Sequence, residues 1–411
     1  MPQLDSAFVR AQFPAFQVPS LQGQAFFENA GGSYPCGQVV ARLTRFYTER
    51  KVQPYAPYAA SELGGAEMDE ARSRLSALMG VAGDELSFGP STSANTYVLA
   101  QAFRTWMKPG QAIIVTNQDH EANSGVWRRL ADDGIEVREW QIDPDTGRLD
   151  MADLASILDE NVKLVCFPHC SNVVADITPV AQIVTLAHAV GAVCCVDGVS
   201  YAPHGLPDVG ALGADIYLFS AYKTYGPHQG IMVIRRELGM KLPYQGHFFN
   251  ADTLYKRFTP AGPDHAQVAA CAGMADYIEA LYAHHFAGAA QNASAVQRGA
   301  AVHDLMRSAE ETLLQPLLDY LAARNDLRLL GSRHAADRAP TVAIALDRAA
   351  EPVAQALASH GVMAGGGDFY AVRPLRAMGI DLDRGVLRMS FVHYTTKSEV
   401  DQLIRALDQV L

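Results

Sequence analysis

The sequence predicts an α/β protein: a large domain with a mainly parallel sheet between helices, followed by a smaller C-terminal α+β domain. Short continuous apolar runs recur, at Ala112-Ile-Ile-Val-Thr, Ile135-Glu-Val-Arg-Glu-Trp, Lys163-Leu-Val-Cys-Phe, Val193-Cys-Cys-Val-Asp, Ile216-Tyr-Leu-Phe-Ser and Ile231-Met-Val-Ile. Helix-spaced stretches lie between them, and strands that are apolar on both faces belong to parallel sheets covered on both sides. The texture then changes after about residue 265, where an alanine-rich region to about 325 reads as helical throughout.

The elements follow in order. "GPSTSAN" (89–95) reads as a helix start, with Thr92, Ser93 and Ala94 supplying hydroxyls and backbone N–H groups. "PDTGRLD" (144–150) is turn chemistry leading into a helix. Pro179 to Ala189 has helical spacing, and Gly191 is its stop. Beyond the alanine-rich helices come a strand (Thr341-Val-Ala-Ile-Ala-Leu), a helix (Pro352 to His360), a glycine loop (Gly365-Gly-Gly), a strand (Val386-Leu-Arg-Met-Ser-Phe) and a last helix (Ser398 to Leu411). The expected division is an arm over 1–20 packing on the small domain, a large ligand-binding domain over 21–265, and linking helices with the small domain over 266–411.

The 411 residues are 49% hydrophobic, enough for a sizeable core. A net charge of −11 without any long Lys/Arg run points away from nucleic acid and membrane surfaces. The six cysteines form no C-x-x-C pair, and three of them (Cys166, Cys194, Cys195) sit in strand-like runs as small hydrophobes. A reducing cytoplasm is the expected setting, and the N-terminal "MPQLDSAFVRAQFPAF" has no signal-peptide pattern. The longest apolar stretch (183–196) is interrupted by His188 and Gly191, so no membrane span is expected. His284-His285 reads as helix surface, with no metal site expected. No G-x-G-x-x-G follows a strand, which disfavours a dinucleotide site.

In open parallel sheets, ligands bind beyond the carboxyl ends of the strands. His120, Asn172, Asp197, Ser220 and Lys223 all follow predicted strands directly. Taken singly, each has an ordinary reading: a turn lysine, a capping aspartate, a structural histidine, a turn asparagine. Taken together they suit pyridoxal phosphate (PLP), which needs a lysine for its Schiff base, an acid at the ring nitrogen, a flat partner for the ring and donors for the phosphate.

Five stretches carry a resemblance to a known family: "FFENAGGSYP", "DHEANSGVW", "HCSNVVADITPV", "VDGVSYAPH…LGADIYLFSAYKTYGPHQGIMVI" and "LRMSFVHYTTKSEVDQLI". They span roughly residues 20–410, and the chain resembles the cysteine desulfurase-like branch of the class V aminotransferases. The resemblance implies a fold-type-I PLP enzyme, a homodimer, and a small amino-acid substrate. It implies Lys223 as the Schiff-base lysine, Asp197 on the ring nitrogen, His120 stacked on the ring and Asn172 near the ring hydroxyl. Thr92, Ser93 and Ser220 match phosphate contacts, Arg388 the arginine for the substrate carboxylate, and Asn29 a substrate-side asparagine. Tyr222 stands where the family has histidine, and its hydroxyl is a phosphate donor; Ser200 stands where glutamine is common.

The largest departure is in "GVMAGGGDFYAVRPL" (361–375), which matches the desulfurase loop but contains no cysteine. Asp368 or Phe369 occupies the nucleophile position, and a carboxylate cannot hold sulfur as a persulfide. The reading is therefore a PLP-dependent enzyme that cleaves the C–S bond of cysteine or a derivative as a lyase. Transamination, epimerisation and a non-catalytic PLP-binding scaffold are the competing outcomes. Cys36 and Cys170 are the thiols to watch, Cys170 because it lies two residues from Asn172.

Overall fold

A computed structural model describes residues 2–288 and 292–411. Its centre is a seven-stranded sheet: β1 (Leu86–Gly89), β2 (Ala112–Thr116), β3 (Glu136–Trp140), β4 (Val162–Pro168), β5 (Val193–Asp197), β6 (Ile216–Ser220) and β7 (Gly230–Ile234). The order across the sheet is β1-β7-β6-β5-β4-β2-β3. β7 runs antiparallel to both neighbours and every other pair is parallel. Alternate residues feed two cores. Ala112, Ile114, Val165, Phe167, Cys194, Val196, Tyr217 and Phe219 face one core. Ile113, Val115, Leu164, Cys166, Cys195, Ile216 and Leu218 face the other. Both faces are dry, which is why these runs are apolar at every position.

β1 was not among the expected strands. Leu86-Ser-Phe-Gly is four residues long and merges into the helix start at Thr92, so it carries too short a pattern to read alone. It matters because it delivers the helix Thr92–Trp106 to the carboxyl edge of β6. Gly230, the first residue of β7, passes directly beneath that helix start: a Cβ there would stand 2.6 Å from the Thr92 backbone nitrogen. Gly230→Ala should push the helix N-terminus away from Ser220 and weaken coenzyme binding. Titration of the apo-protein with PLP checks this; unchanged affinity would show that the helix start tolerates the shift.

The second sheet has four antiparallel strands, β8 (Leu327–Leu329), β9 (Thr341–Leu346), β10 (Gly365–Gly367) and β11 (Val386–Ser390), in the order β10-β11-β9-β8. The glycines expected to form a loop are thus an edge strand. The reason is proximity: a Cβ on Gly366 would lie 2.5 Å from the Glu351 nitrogen, so β10 reaches the start of helix Ala350–Ser359 only as bare backbone. A short parallel pair, Ala25–Phe26 with Val362–Met363, and a bridge from Glu28 to Ser390 bring the "FFENAGG" stretch beside β11.

The first residues touch both regions. Phe8 stacks on His284 at 3.8 Å, and His284 Nε2 lies 3.0 Å from Asp5 Oδ2. Arg10 donates to the Tyr394 carbonyl at 2.9 Å and to Glu399. Phe13 is fully buried against Tyr277 and Tyr394. Among the described residues, no helix is long and apolar enough to cross a membrane.

Candidate active site

The carboxyl ends of β4, β5 and β6 open onto a cavity of about 370 Å³, closed by the N-termini of helices Thr92–Trp106 and Glu121–Arg128. Thr92, Ser93, His120, Asn172, Asp197, Ser200, Ser220, Tyr222 and Lys223 all line it. A second cavity, of about 330 Å³, lies elsewhere, between Tyr55 and the segment Ala261 to His265.

At one end is a set of donors. Thr92 and Ser220 hydroxyls are 2.7 Å apart, and the 15-residue helix aims its first N–H groups the same way. A helix N-terminus flanked by hydroxyls is anion-binding chemistry. Ser91 is the N-cap, accepting from the Ala94 N–H. Tyr222 lies flat against His228, with 4.9 Å between ring centroids, at the cavity wall.

At the other end, Asp197 terminates β5. Its Oδ1 accepts from the Val199 N–H at 2.8 Å. Burial pushes the carboxyl up to about 6, while Lys223 pulls it back. Asp119 lies behind it, fully buried, with Oδ2 accepting from Asn123 at 3.1 Å and Oδ1 unpartnered. Burial and then Asp197 raise the Asp119 carboxyl well above its ordinary value. Nothing in the sequence around Asp119 marks it out beyond its place directly before His120.

His120 caps the helix Glu121–Arg128, its Nδ1 accepting from the Ala122 N–H at 3.1 Å. Burial, then Lys223 and Arg388, bring the imidazole down to about 4. A neutral flat ring at neutral pH suits stacking on a protonated pyridine. Asn172 donates through Nδ2 to the Phe369 carbonyl at 2.9 Å, and its buried Oδ1 has no partner.

Lys223 follows β6 in a short helical turn, beyond Ser220. Burial, then Arg388, lower its ammonium to about 8, with Asp197 and Glu28 opposing. A lysine that sheds its proton near pH 8 is a competent nucleophile for an aldehyde. In the coenzyme-free protein, its rate of reaction with PLP should rise with pH and reach half its maximum near about 8. A midpoint at an ordinary lysine value would contradict this environment.

Two expected residues stand off the cavity wall. The Asn29 amide donates to the Ser390 carbonyl at 3.3 Å and accepts from the Tyr394 hydroxyl, in a narrow crevice that Lys223 also borders. Arg388 lies behind Asn172, 4% exposed, donating to the Asn172 carbonyl at 3.3 Å. Asp368 is exposed, and its carboxylate accepts from the Tyr370 N–H in a tight turn. Phe369 and Tyr370 both have positive φ, 53° and 57°, so this turn is strained. The Phe369 ring lies over the Arg388 guanidinium at 3.8 Å, and nothing in its sequence context signals that contact.

All six cysteines are buried. Cys170 lines the cavity, but its thiol donates to the Ala175 carbonyl at 3.1 Å and burial pushes it up to about 12. Cys36 is likewise pushed up to about 12. Neither supplies a thiolate near neutral pH.

The donor set fits PLP: hydroxyls and a helix N-terminus at one end, an aspartate at the other, a neutral imidazole, an orphaned amide oxygen and a nucleophilic lysine around one cavity. Comparisons with known proteins agree. The family model described as aminotransferase class-V matches residues 25–403. The aminotransferase-like protein FGM3 of Gibberella zeae is 33% identical over 98% of both chains. A cysteine desulfurase of Serratia proteamaculans is 28% identical, over 98% of this chain and 97% of its own. The apo structure of a cysteine desulfurase from Thermococcus onnurineus superposes with a TM-score of 0.86 over 100% of this chain and 99% of its own, at 22% identity. The chain belongs to the class V aminotransferases, in their cysteine desulfurase-like branch, a family whose members use pyridoxal phosphate.

Proposed function

We propose that this protein cleaves the carbon–sulfur bond of cysteine or a cysteine derivative as a lyase. One observation carries the reading: Lys223 and Asp197 line one cavity with Arg388 just behind its wall, while the 361–375 segment lacks cysteine and all six thiols are buried. The substrate can be activated at its α-carbon, but no side chain stands ready to receive sulfur.

In this reading Thr92, Ser93 and Ser220 would hold the phosphate, with Tyr222 beside them. Ser200 and Asn172 would serve the ring oxygen, His120 would cover the ring face, and Asp197 would keep a proton on the ring nitrogen. Bound there, PLP supplies a sink for the electron pair left at the α-carbon. With its amine free, Lys223 Nζ would take the α-proton. Arg388 holds the substrate carboxylate with its planar fork. Sulfur then departs from Cβ with its bonding pair and is protonated, and water completes the release of a keto acid and ammonia.

The test is product analysis with cysteine and its S-alkyl derivatives. Keto acid with equimolar sulfide or thiol supports the lyase. Alanine with protein-bound persulfide contradicts it and returns attention to Cys170 and Cys36. The 33% identity to an aminotransferase-like protein favours transamination as the second reading. Its mark is transfer of the amino group to an added keto acid with the C–S bond intact.

Arg388→Ala should raise KM for amino acids about tenfold to a hundredfold, the range for losing a charge-assisted pair. PLP affinity should stay unchanged; equal loss of both would assign Arg388 to structure. We also propose a homodimer. Phe248 and Phe249 are 77% and 70% exposed, and large exposed aromatics mark contact surfaces. Sedimentation analysis decides this point.

A further inference from the structure

Arg388 is already paired within the chain. Its Nη2 donates to Glu28 Oε1 at 2.7 Å, its Nη1 to the Asn172 carbonyl, and the Phe369 ring covers its face. Its Nε is buried without a partner, and so is Glu28 Oε2. The backbone leaves a slot for the Glu28 carboxylate. A Cβ on Gly31 would lie 2.9 Å from Oε1, and one on Gly365 would lie 2.8 Å from Oε2. The short strand pair at Ala25–Phe26 and the Glu28–Ser390 bridge place this glutamate there. A buried guanidinium without an anion is costly, so the ligand-free site needs such a partner.

We propose that Glu28 is a specificity-determining residue that competes with the substrate carboxylate for Arg388. This rests on the assignment of Arg388 given above. Both bidentate edges of the guanidinium, Nη1/Nη2 and Nε/Nη2, include Nη2, where Glu28 is held, so a ligand carboxylate on either edge meets the Glu28 charge and gains full contact by displacing it. Acids that bind through the carboxylate alone meet this competition in full. Amino acids, whose amine would also be held at the coenzyme in place of Lys223, overcome it. Glu28 therefore lowers carboxylate affinity and makes binding depend on the amine as well.

Glu28→Gln keeps the shape and an oxygen acceptor but removes the charge. The probes are L-alanine and ethylamine, which differ by the carboxylate, titrated into the PLP-loaded protein and read from the coenzyme's absorbance band. L-Alanine should bind about tenfold more tightly to Glu28→Gln, while ethylamine binds as to the wild type. In an Arg388→Ala background the Glu28→Gln effect should vanish, since the coupling runs through that one contact. If Arg388→Ala weakens L-alanine but Glu28→Gln leaves it unchanged or weaker, the competition is overturned and the Arg388 assignment stands. If Arg388→Ala leaves L-alanine unaffected, both fall. Glu28→Ser, small and neutral, gives the same expected direction should glutamine not fit between the two glycines.

Discussion

Lys223→Ala should eliminate turnover and leave PLP bound only by reversible contacts that dialysis removes. The expected loss is at least about 10⁴-fold, the upper range for a lost proton-transfer group, with the covalent anchor lost as well. The environment explains the size of the effect. Lys223 sits at the cavity edge beyond β6 with its ammonium lowered to about 8. Arginine cannot replace it, because a guanidinium neither adds to an aldehyde nor gives up its proton at this pH. Lys223→Arg should be as inactive as the alanine variant. Activity within tenfold of wild type in either variant would remove Lys223 from the chemistry.

Asp197→Asn should lower kcat by about 10²–10³, the usual effect of removing one preorganised electrostatic contact. The fold should survive, because the asparagine oxygen can still accept from the Val199 N–H. The pH dependence carries a sign. Burial raises the Asp197 carboxyl to about 6 in the ligand-free site, and only the ionised form holds a protonated ring nitrogen. PLP affinity of the wild type should fall as pH drops through about 6, and Asp197→Asn should lack that limb. A binding profile that is the same in both proteins would move the ring-nitrogen role elsewhere.

How much was legible follows from the physics of each element. β2 and β4 to β7 were readable because a strand buried on both faces is apolar at nearly every position, whereas β3 is a partly exposed edge strand with charged residues, and Gly191, with φ of 79°, stops its helix as expected. β1 was hidden because its four residues have no length to show a period. β10 was hidden because glycine reads as a loop, while here it lets a strand touch a helix start. Polar residues at strand ends are visible as interruptions of apolar runs, so Asp197, Ser220 and Lys223 stood out. Glu28 did not, because its significance lies in a contact 360 residues away along the chain. Phe369 was equally silent: an aromatic in a turn gives no sign that an arginine will pack on it. Asn29, expected as a substrate contact, has its amide engaged by Ser390 and Tyr394 in a crevice that Lys223 also borders.

The most direct test is to reduce the PLP-loaded protein with borohydride and locate the attached coenzyme by peptide mass. A single modification on Lys223 is the result expected from a lysine at the carboxyl edge of β6 facing Asp197. Modification of a different lysine, or none after full loading, would contradict the assignment of this cavity as the coenzyme site.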